Sequence, residues 1–187
     1  MPEQTAKKMA TYQDLCALPG NRVGEIVNGE LVATPRPSYR HGNAATQLVS
    51  ELAGPFQSGK SGGPGGWWIL VEPEIHLGEH VLVPDLAGWR KERMPGLPNG
   101  NWTDLPPDWV CEILSSSTVK LDRTQKMPIY SEHGVRHVWL LDPEHRTLEV
   151  FRLEEAKWLL VSTHAEGERV RAEPFQEVEL ALGLLWE

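Results

Sequence analysis

The sequence predicts a mixed α/β or α+β fold in a single domain that spans residues 1–187. Helical and strand-like segments alternate in the order helix, β-hairpin, helix, three strands, helix and further strands. The 17 glycines and 15 prolines provide many turns, which favours strands and loops over a helical bundle. A chain of 187 residues lies near the upper end of the usual one-domain range, so it leaves little room for a second domain.

The first elements are a short helix and a hairpin. Thr11 with Asp14 three residues later is typical of a helix start, and this helix should end before Pro19-Gly20. Two strand-like segments, Arg22–Val27 and Glu30–Thr34, flank Asn28-Gly29. Asn-Gly is the strongest short-range signal for a two-residue turn, so this region is predicted to form an N-terminal β-hairpin.

An amphipathic helix is predicted from His41 to about Ala53. One apolar stripe recurs at helical spacing, formed by Ala44, Ala45, Leu48, Val49 and Leu52. The following segment, residues 54–66, is rich in glycine and is predicted to be a flexible loop.

The middle of the chain is predicted to contain strands. Residues 67–77 alternate between apolar and polar side chains, with Ile69, Val71, Ile75 and Leu77 on one face, as in one half-buried strand. A turn at Gly78 leads to another strand that ends near Trp89. Residues 109–114 form a short apolar run that is predicted to be a central strand.

The C-terminal half continues with one helix and three strands. The helix is predicted over Leu121–His133 and ends at Gly134. The strands are predicted at residues 136–141, 148–153 and 158–163. The last segment, Gln176–Trp186, alternates enough to be an edge strand or a docking arm.

Composition and charge exclude several classes of protein. Neither a membrane span nor a signal peptide is present, so a cytoplasmic protein without membrane association is expected. Cys16 and Cys111 lie far apart, which indicates neither a disulfide framework nor a thiolate zinc site. The net charge of -8 argues against a protein that coats nucleic acid, but it is compatible with a nuclease. Phosphate contacts would then come from a local basic patch, for which the candidates are Arg36, Arg40, Arg90, Lys91, Arg93, Lys120, Arg123 and Lys126.

One segment matches the sequence pattern of a nucleotide-binding loop but lacks the secondary structure that such a loop requires. Residues 54–61 fit the pattern G-x-x-x-x-G-K-[ST], and Val138–Leu141 followed by Asp142 is similar to a Walker B strand. A phosphate loop requires a strand before it and a helix after it, because the phosphates bind at the N-terminus of that helix. Here a predicted helix precedes the motif and a glycine-rich stretch follows it, so nucleotide binding is not expected.

Three charged residues stand out within the apolar framework. Asp85 directly follows an apolar strand, and Glu112 interrupts the predicted central strand. A charge inside a core strand is costly unless it is paired, hydrogen-bonded or bound to metal. Lys126 is the nearest suitable cation, on a helix face that it shares with Asp122 and Tyr130. Taken singly, Asp85 could belong to a Pro-Asp turn, Glu112 to an exposed face or a buried ion pair, and Lys126 to the surface.

Taken together and in order, these residues resemble the PD-(D/E)XK nuclease superfamily, and within it a bacterial restriction-endonuclease-like branch. The resemblance spans most of the chain. It is carried by residues 24–32, His41, Pro84-Asp85, residues 107–115, the series Asp122, Lys126 and Tyr130, and residues 134–143.

The resemblance implies a restriction-endonuclease-like central mixed β-sheet flanked by helices. It implies that Asp85 and Glu112 hold Mg²⁺ or Mn²⁺ and that Lys126 acts as the catalytic lysine. In the basic superfamily pattern the lysine lies two residues after the glutamate, where this chain has Leu114. His41 matches a further position of the family pattern, either in catalysis or as a cap of its helix, and Glu30 matches another.

Two features modify this expectation. Pro128 lies two residues after Lys126, where a proline removes a backbone hydrogen bond, so we expect the helix to kink or to begin later.

The chain is also short for a catalytic core with a separate target-recognition element. A homodimer or a higher homo-oligomer is one way to bring two sites to opposite strands of DNA. Tryptophans such as Trp102 and Trp186 could serve such an interface, although ordinary core packing is the alternative.

The leading hypothesis for function is therefore a Mg²⁺-dependent DNA endonuclease that hydrolyses phosphodiester bonds, with DNA as its substrate. Asp85, Glu112, Lys126 and His41 are the candidate catalytic residues, and Asp85 and Glu112 are the candidate metal ligands. The alternative is a catalytically inactive nuclease-fold module that binds nucleic acid or protein.

Overall fold

A six-stranded mixed sheet forms the centre of the protein, and the computed structural model describes residues 9–60 and 62–187. The strands are β1 (Arg22–Val27), β2 (Glu30–Pro35), β3 (Trp67–Val71), β4 (Glu74–Leu77), β5 (His80–Leu82), β6 (Leu86–Arg90), β7 (Trp102–Thr103), β8 (Trp109–Ile113), β9 (His137–Asp142), β10 (Thr147–Glu154), β11 (Lys157–Ala165), β12 (Arg169–Val170) and β13 (Leu180–Ala181). The α-helices are α1 (Tyr12–Cys16), α2 (Tyr39–Leu52), α3 (Val119–Leu121) and α4 (Met127–Glu132).

The central sheet has the strand order β11-β10-β9-β8-β6-β3. Strands β8 and β9 are parallel, and the other neighbours in this sheet are antiparallel. The predicted central strand, β8, is buried along its whole length between β6 and β9. The structure therefore confirms a mixed α/β fold around a mixed sheet.

Both faces of the central sheet are covered by apolar layers. On one face, α2 and the C-terminal segment pack on alternate residues of β8, which include Trp109, Cys111 and Ile113. On the other face, β4, β5 and α4 pack on the remaining positions, such as Val110. Because successive side chains of a strand point to opposite faces, Glu112 shares its face with Val110 and is directed towards α4.

The N-terminal helix and hairpin form as predicted. Thr11 caps α1 in a capping box with Asp14. Asn28 and Gly29 both have positive φ, of 51° and 73°, as the tight turn between β1 and β2 requires. The hairpin belongs to a second sheet of five strands, with the order β2-β1-β5-β4-β7, so it is not part of the central sheet.

The prediction of a single strand over residues 67–77 was wrong. The chain leaves β3 at Glu72, which has a φ of 45°, and Pro73 separates β3 in the central sheet from β4 in the second sheet. Val71, which was assigned to the buried face, is 55% exposed. The alternating pattern continues across the break, and for this reason periodicity alone did not reveal it.

The loop predicted at residues 54–66 is partly ordered by the core. After α2 the chain continues in one π-helical turn, Ala53–Gln57, that buries Phe56 against Phe175. The motif that matches a phosphate loop therefore follows a helix, and the next element is the strand β3. Ser61, the last residue of that motif, lies outside the described residues.

The C-terminal segment, predicted to be an edge strand or a docking arm, combines a short strand with a 3-10 helix that packs on the core. Strand β13 pairs only with β12 in a separate two-stranded sheet. A 3-10 helix, Leu182–Trp186, then packs on α2 and buries Leu182 and Leu185. The described part of the chain contains no helix with the length and apolar character that a membrane crossing requires.

Candidate active site

Strand pairing brings Asp85 beside Glu112. Strand β6 runs antiparallel to β8 with Leu86 opposite Cys111, so the residue before β6 lies next to the end of β8. Asp85 Oδ2 accepts a hydrogen bond of 2.6 Å from the backbone N–H of Ile113. The register of one strand pair thus places two carboxylates that are distant in sequence on the same end of the sheet.

Glu112 is held from the helical side. Its side chain is 2% exposed, and its Oε1 accepts a hydrogen bond of 2.5 Å from the hydroxyl of Tyr130. Lys126 Nζ lies 2.8 Å from the same oxygen. Two donors on successive turns of one helical face therefore converge on one carboxylate oxygen, as the spacing of Asp122, Lys126 and Tyr130 predicts.

Lys126 lies on a local π-helical turn. The helical segment runs from α3 through a π-helical turn, Asp122–Lys126, into α4. Pro128 occupies the first turn of α4, where its missing N–H is tolerated. The expected kink at Pro128 is therefore absorbed by the π-helical turn before it, and Lys126 still reaches the carboxylates.

Glu25 is the third carboxylate that contacts the buried lysine. Its Oε1 lies 2.9 Å from Lys126 Nζ and accepts a hydrogen bond of 2.8 Å from the N–H of Val83. Val83 lies two residues before Asp85, so Glu25 links the lysine to the segment that carries the aspartate. Asp122 Oδ1 is farther from Lys126 Nζ, at 3.7 Å, which exceeds hydrogen-bond distance.

Burial and charge change the pKa values of this cluster. Burial raises the pKa of Glu112 well above its usual range, with Lys126 opposing this effect and Asp122 adding to it. Burial also raises the pKa of Asp122 to about 6, against the influence of Lys126. Burial alone would lower the pKa of Lys126, but the carboxylates of Glu112 and Glu25 more than offset it and raise that pKa. The lysine therefore stays protonated.

His41 contacts Asp85. Ser38 caps α2 and accepts a hydrogen bond from the N–H of His41, which fixes the first turn of the helix. From there His41 Nε2 lies 2.7 Å from Asp85 Oδ1. The histidine does not act as the helix cap, since Ser38 has that role.

These residues line one cleft of about 420 Å³. The four candidate catalytic residues predicted from the sequence all border this cleft, namely Asp85, Glu112, Lys126 and His41. Among the residues predicted to form a basic patch, only three border the cleft: Arg36, Arg40 and Lys126. Arg90 and Lys91 instead stack on tryptophan rings, and Arg93 and Arg123 form ion pairs with carboxylates.

Glu25 had no predicted role, whereas Glu30 matched a position of the family pattern. Glu30 is exposed and does not border the cleft. The signal for Glu25 was present, because this charged residue directly precedes the apolar pair Ile26-Val27 in a strand. A charge in that position requires a partner, and the partner is Lys126.

The donor set fits a hard divalent cation held by two carboxylates. Mg²⁺ is commonly bound by one or two carboxylates, with water and substrate phosphate in the remaining positions. Among residues 9–60 and 62–187, no cluster of three or more His, Cys, Asp or Glu is arranged to hold a metal ion. Asp85 accepts one donor on each oxygen, and a carboxylate has about four lone-pair sites, so acceptor capacity remains.

Comparison with solved structures confirms the fold. The chain is similar to a protein described as a "putative nuclease belonging to DUF820" from Anabaena variabilis ATCC 29413. The two superpose with a TM-score of 0.74 at 24% sequence identity, covering 95% of this chain and 97% of the other. No curated protein matches the chain.

The family comparison agrees with the resemblance in the sequence. Residues 9–183 match the model of the Uma2 family, which is described as "Putative restriction endonuclease". This match includes every strand and helix that contributes to the cleft. The chain therefore belongs to the Uma2 family of restriction-endonuclease-like proteins, within the PD-(D/E)XK superfamily.

Proposed function

We propose that this protein is a divalent-metal-dependent nuclease that hydrolyses phosphodiester bonds of DNA in the cleft. The observation that carries the proposal is the convergence of Asp85, Glu112 and Lys126 from three elements that are distant in sequence. Two carboxylates can hold a divalent cation, and an ammonium can offset the charge that develops on the phosphate. Membership of a restriction-endonuclease-like family supports the same reaction class.

Asp85 and Glu112 would hold Mg²⁺ or Mn²⁺. The cleft is lined by six carboxylates and three permanent cations, so it has an excess of negative charge that a divalent cation would neutralise. When bound, such an ion supplies a water of lowered pKa and offsets negative charge on the phosphoryl oxygens. Nearly complete burial of Glu112 reduces screening by solvent, which strengthens its attraction for a cation.

Lys126 would stabilise the charge that develops on the scissile phosphate. Glu25 and Glu112 hold the ammonium at 2.9 and 2.8 Å, whereas Asp122 lies at 3.7 Å. An ammonium has three N–H donors, so one is left without a short contact to these carboxylates. That donor can bind a phosphoryl oxygen or the attacking water, while the other two keep the nitrogen in place. Removing one such electrostatic group typically costs about 100- to 1,000-fold in rate.

His41 would act as a positioning residue for Asp85. The hydrogen bond between its Nε2 and Asp85 Oδ1 fixes the rotamer of the carboxylate, and the Ile113 N–H fixes the other oxygen. Residues that hydrogen-bond to metal ligands in this way orient them and tune their affinity. His41 would then act on the reaction through Asp85, one contact away from the proposed metal ion.

The test is a cleavage assay with purified protein. We expect cleavage of supercoiled, linear or single-stranded DNA with Mg²⁺ or Mn²⁺, and no cleavage with a chelator. Asp85→Asn and Glu112→Gln should lower the rate at least about 100-fold. Asp104→Asn, at an exposed position outside the cleft, is the matched control and should keep the wild-type rate.

The alternative function, a non-catalytic binding module, is tested in the same experiment. Its support is the net charge of -8, which is unfavourable for binding a polyanion. Metal-dependent cleavage that both substitutions remove excludes the module. Clean protein that binds DNA without cleaving it, or cleavage that Asp85→Asn leaves unchanged, contradicts the proposed nuclease.

A further inference from the structure

The two oxygens of the Glu112 carboxylate have different surroundings. Tyr130 donates its hydroxyl proton to Oε1 at 2.5 Å, and Lys126 Nζ lies 2.8 Å from the same oxygen. An ionised carboxylate has about four lone-pair sites on its two oxygens, so two donors on one oxygen use the capacity of that oxygen. Because Glu112 borders the cleft, Oε2 is the oxygen that it has left for a ligand there.

Tyr130 is fixed in the position from which it donates. It lies in α4, and its side chain is completely buried in the apolar layer between this helix and the central sheet. Burial, together with the charge of Glu112, raises the pKa of Tyr130 well above its usual value, so the hydroxyl keeps its proton. A buried hydroxyl without an acceptor is costly, and Tyr130 therefore competes with any other ligand for Oε1.

Asp85 differs from Glu112 in how its donors are distributed. Its Oδ1 lies 2.7 Å from His41 Nε2, and its Oδ2 accepts a hydrogen bond of 2.6 Å from the N–H of Ile113. With one donor on each oxygen, both oxygens keep about one lone pair. Glu112 is thus the carboxylate of the pair that is restricted to a single oxygen.

This restriction affects divalent cations unequally. Ca²⁺ takes about 6–8 oxygen ligands in a flexible arrangement and commonly binds both oxygens of a carboxylate. Mg²⁺ is smaller, requires near-ideal octahedral geometry and keeps several waters beside one or two carboxylates, and Mn²⁺ is also found in octahedral oxygen sites. A glutamate with one available oxygen meets the needs of Mg²⁺ and Mn²⁺ but withholds a ligand from Ca²⁺.

We propose that Tyr130 sets the metal selectivity of the site, because its hydroxyl, with Lys126, occupies Oε1 of Glu112 and limits the glutamate to one metal-binding oxygen. The inference rests on the proposed function, since it concerns the metal ion of the same cleft. Tyr130 is a positioning residue, which acts on the ion through Glu112. The site should therefore discriminate against Ca²⁺ for as long as the hydroxyl is present.

Metal affinity of the free protein can be measured without cleavage. Electron paramagnetic resonance gives the Kd for Mn²⁺, and competition with Mn²⁺ gives the Kd for Ca²⁺. Tyr130→Phe should weaken Mn²⁺ binding about tenfold, at the lower end of the cost of removing a group that hydrogen-bonds to a metal ligand. Ca²⁺ binding should stay within about twofold of wild type, because Oε1 regains a lone pair and can join Oε2 on the ion. The ratio of the two Kd values should thus shift about tenfold in favour of Ca²⁺.

Tyr12→Phe is the matched control. The hydroxyl of Tyr12 also donates to a glutamate, Glu74 Oε1 at 2.8 Å, and neither residue borders the cleft. This variant should leave the Kd values of both ions unchanged. If Tyr130→Phe weakens Mn²⁺ and Ca²⁺ binding equally, the hydroxyl only supports the fold, and the inference is overturned. Unchanged Kd values for both ions in Tyr130→Phe overturn it as well.

A second measurement uses the wild-type protein and does not depend on the folding of a variant. Infrared difference spectra are recorded with and without Mg²⁺, with the carboxyl carbon of glutamate isotopically labelled to separate its bands from those of Asp85. The symmetric and antisymmetric carboxylate stretches lie farther apart when one oxygen binds the ion than when both do. The wide separation is expected, and the narrow one overturns the inference. Cleavage by Asp85→Asn at the wild-type rate overturns the proposed function instead.

Discussion

Lys126 Nζ lies 2.8 Å from Glu112 Oε1, and both side chains are almost completely buried. One residue comes from the central strand of the sheet and the other from the helical segment that follows it. Burying two charges is costly, and the attraction between them returns this cost only when geometry and additional hydrogen bonds are favourable. Here Tyr130 and Glu25 provide those additional contacts. The cluster therefore ties the packing of the helical segment on the central sheet to the residues that line the cleft.

Loss of the lysine charge should destabilise the protein. Lys126→Met leaves Glu25 and Glu112 buried without their cation, and breaking a buried pair typically costs about 3–5 kcal/mol. We expect the free energy of unfolding, measured by urea denaturation at pH 8, to fall by that amount. The double variant Lys126→Met, Glu112→Gln should recover part of the loss, because it removes one uncompensated charge.

The two Lys126 variants distinguish an ion pair from simple packing. If the double variant is no more stable than Lys126→Met alone, the lost stability comes from packing of the lysine stem, and the electrostatic account of the cluster is wrong.

His41 should affect the position of Asp85 more than the stability of the fold. His41→Ala removes the contact with Asp85 Oδ1, and substitutions of this kind typically cost about 10- to 100-fold in metal affinity or activity. His41→Gln can present an N–H near the position of Nε2 and should lose less. The measurement is the Mn²⁺ concentration that gives half-maximal cleavage. An unchanged concentration in His41→Ala would show that the histidine does not position Asp85.

Asp122 should make the metal-free protein less stable at high pH. Burial raises its pKa from 3.8 to about 6, so the folded state binds the proton more tightly than the unfolded state. Ionised Asp122 therefore destabilises the fold above pH 6, and this penalty disappears as the pH falls to about 4. Asp122→Asn should be more stable than wild type at pH 8, by about 3 kcal/mol.

The advantage of Asp122→Asn over wild type should be almost constant between pH 8 and pH 7 and should shrink between about pH 6 and pH 4. The difference in stability is measured by thermal unfolding of both proteins in a chelator across this pH range. Groups that titrate in the same way in both proteins contribute equally to both stabilities, so they do not affect the difference. A difference that is constant with pH would show that Asp122 does not carry the raised pKa.

Nucleotide binding at residues 54–60 should be absent. The segment follows a helix and leads to a strand, so no helix N-terminus is available to bind phosphates. Calorimetric titration of wild type with ATP and Mg²⁺ should give no heat of binding. A saturable heat that Lys60→Ala abolishes would restore the phosphate-loop interpretation.

Much of the fold was predictable because local signals agreed with it. The Asn28-Gly29 turn, the apolar stripe of α2 and the mostly apolar strand β8 each follow from residue type and spacing alone. The break at Pro73 and the packing of Phe56 were not predictable in this way. Both depend on which sheet or layer a segment joins, and this information lies in distant parts of the chain.

The candidate site also contains residues that the sequence predicted and residues that it did not. Asp85 and Glu112 were recognisable as carboxylates at unfavourable positions in an apolar framework. The position of Glu25 beside Ile26-Val27 indicated that its charge needs a partner, but that partner was not predictable. Lys126 is 101 residues away, and only the tertiary fold brings the two together. The π-helical turn before Pro128 was also hidden, since residue propensities do not encode one wide turn within a helix.

A Mn²⁺ titration of the free protein, followed by electron paramagnetic resonance, tests the proposed metal site in wild type, Asp85→Asn and Glu112→Gln. We expect one bound ion in wild type and an affinity at least about tenfold weaker in each variant, because each loses one of the two charged ligands. Wild-type affinity in either variant would show that Asp85 and Glu112 do not hold a common ion.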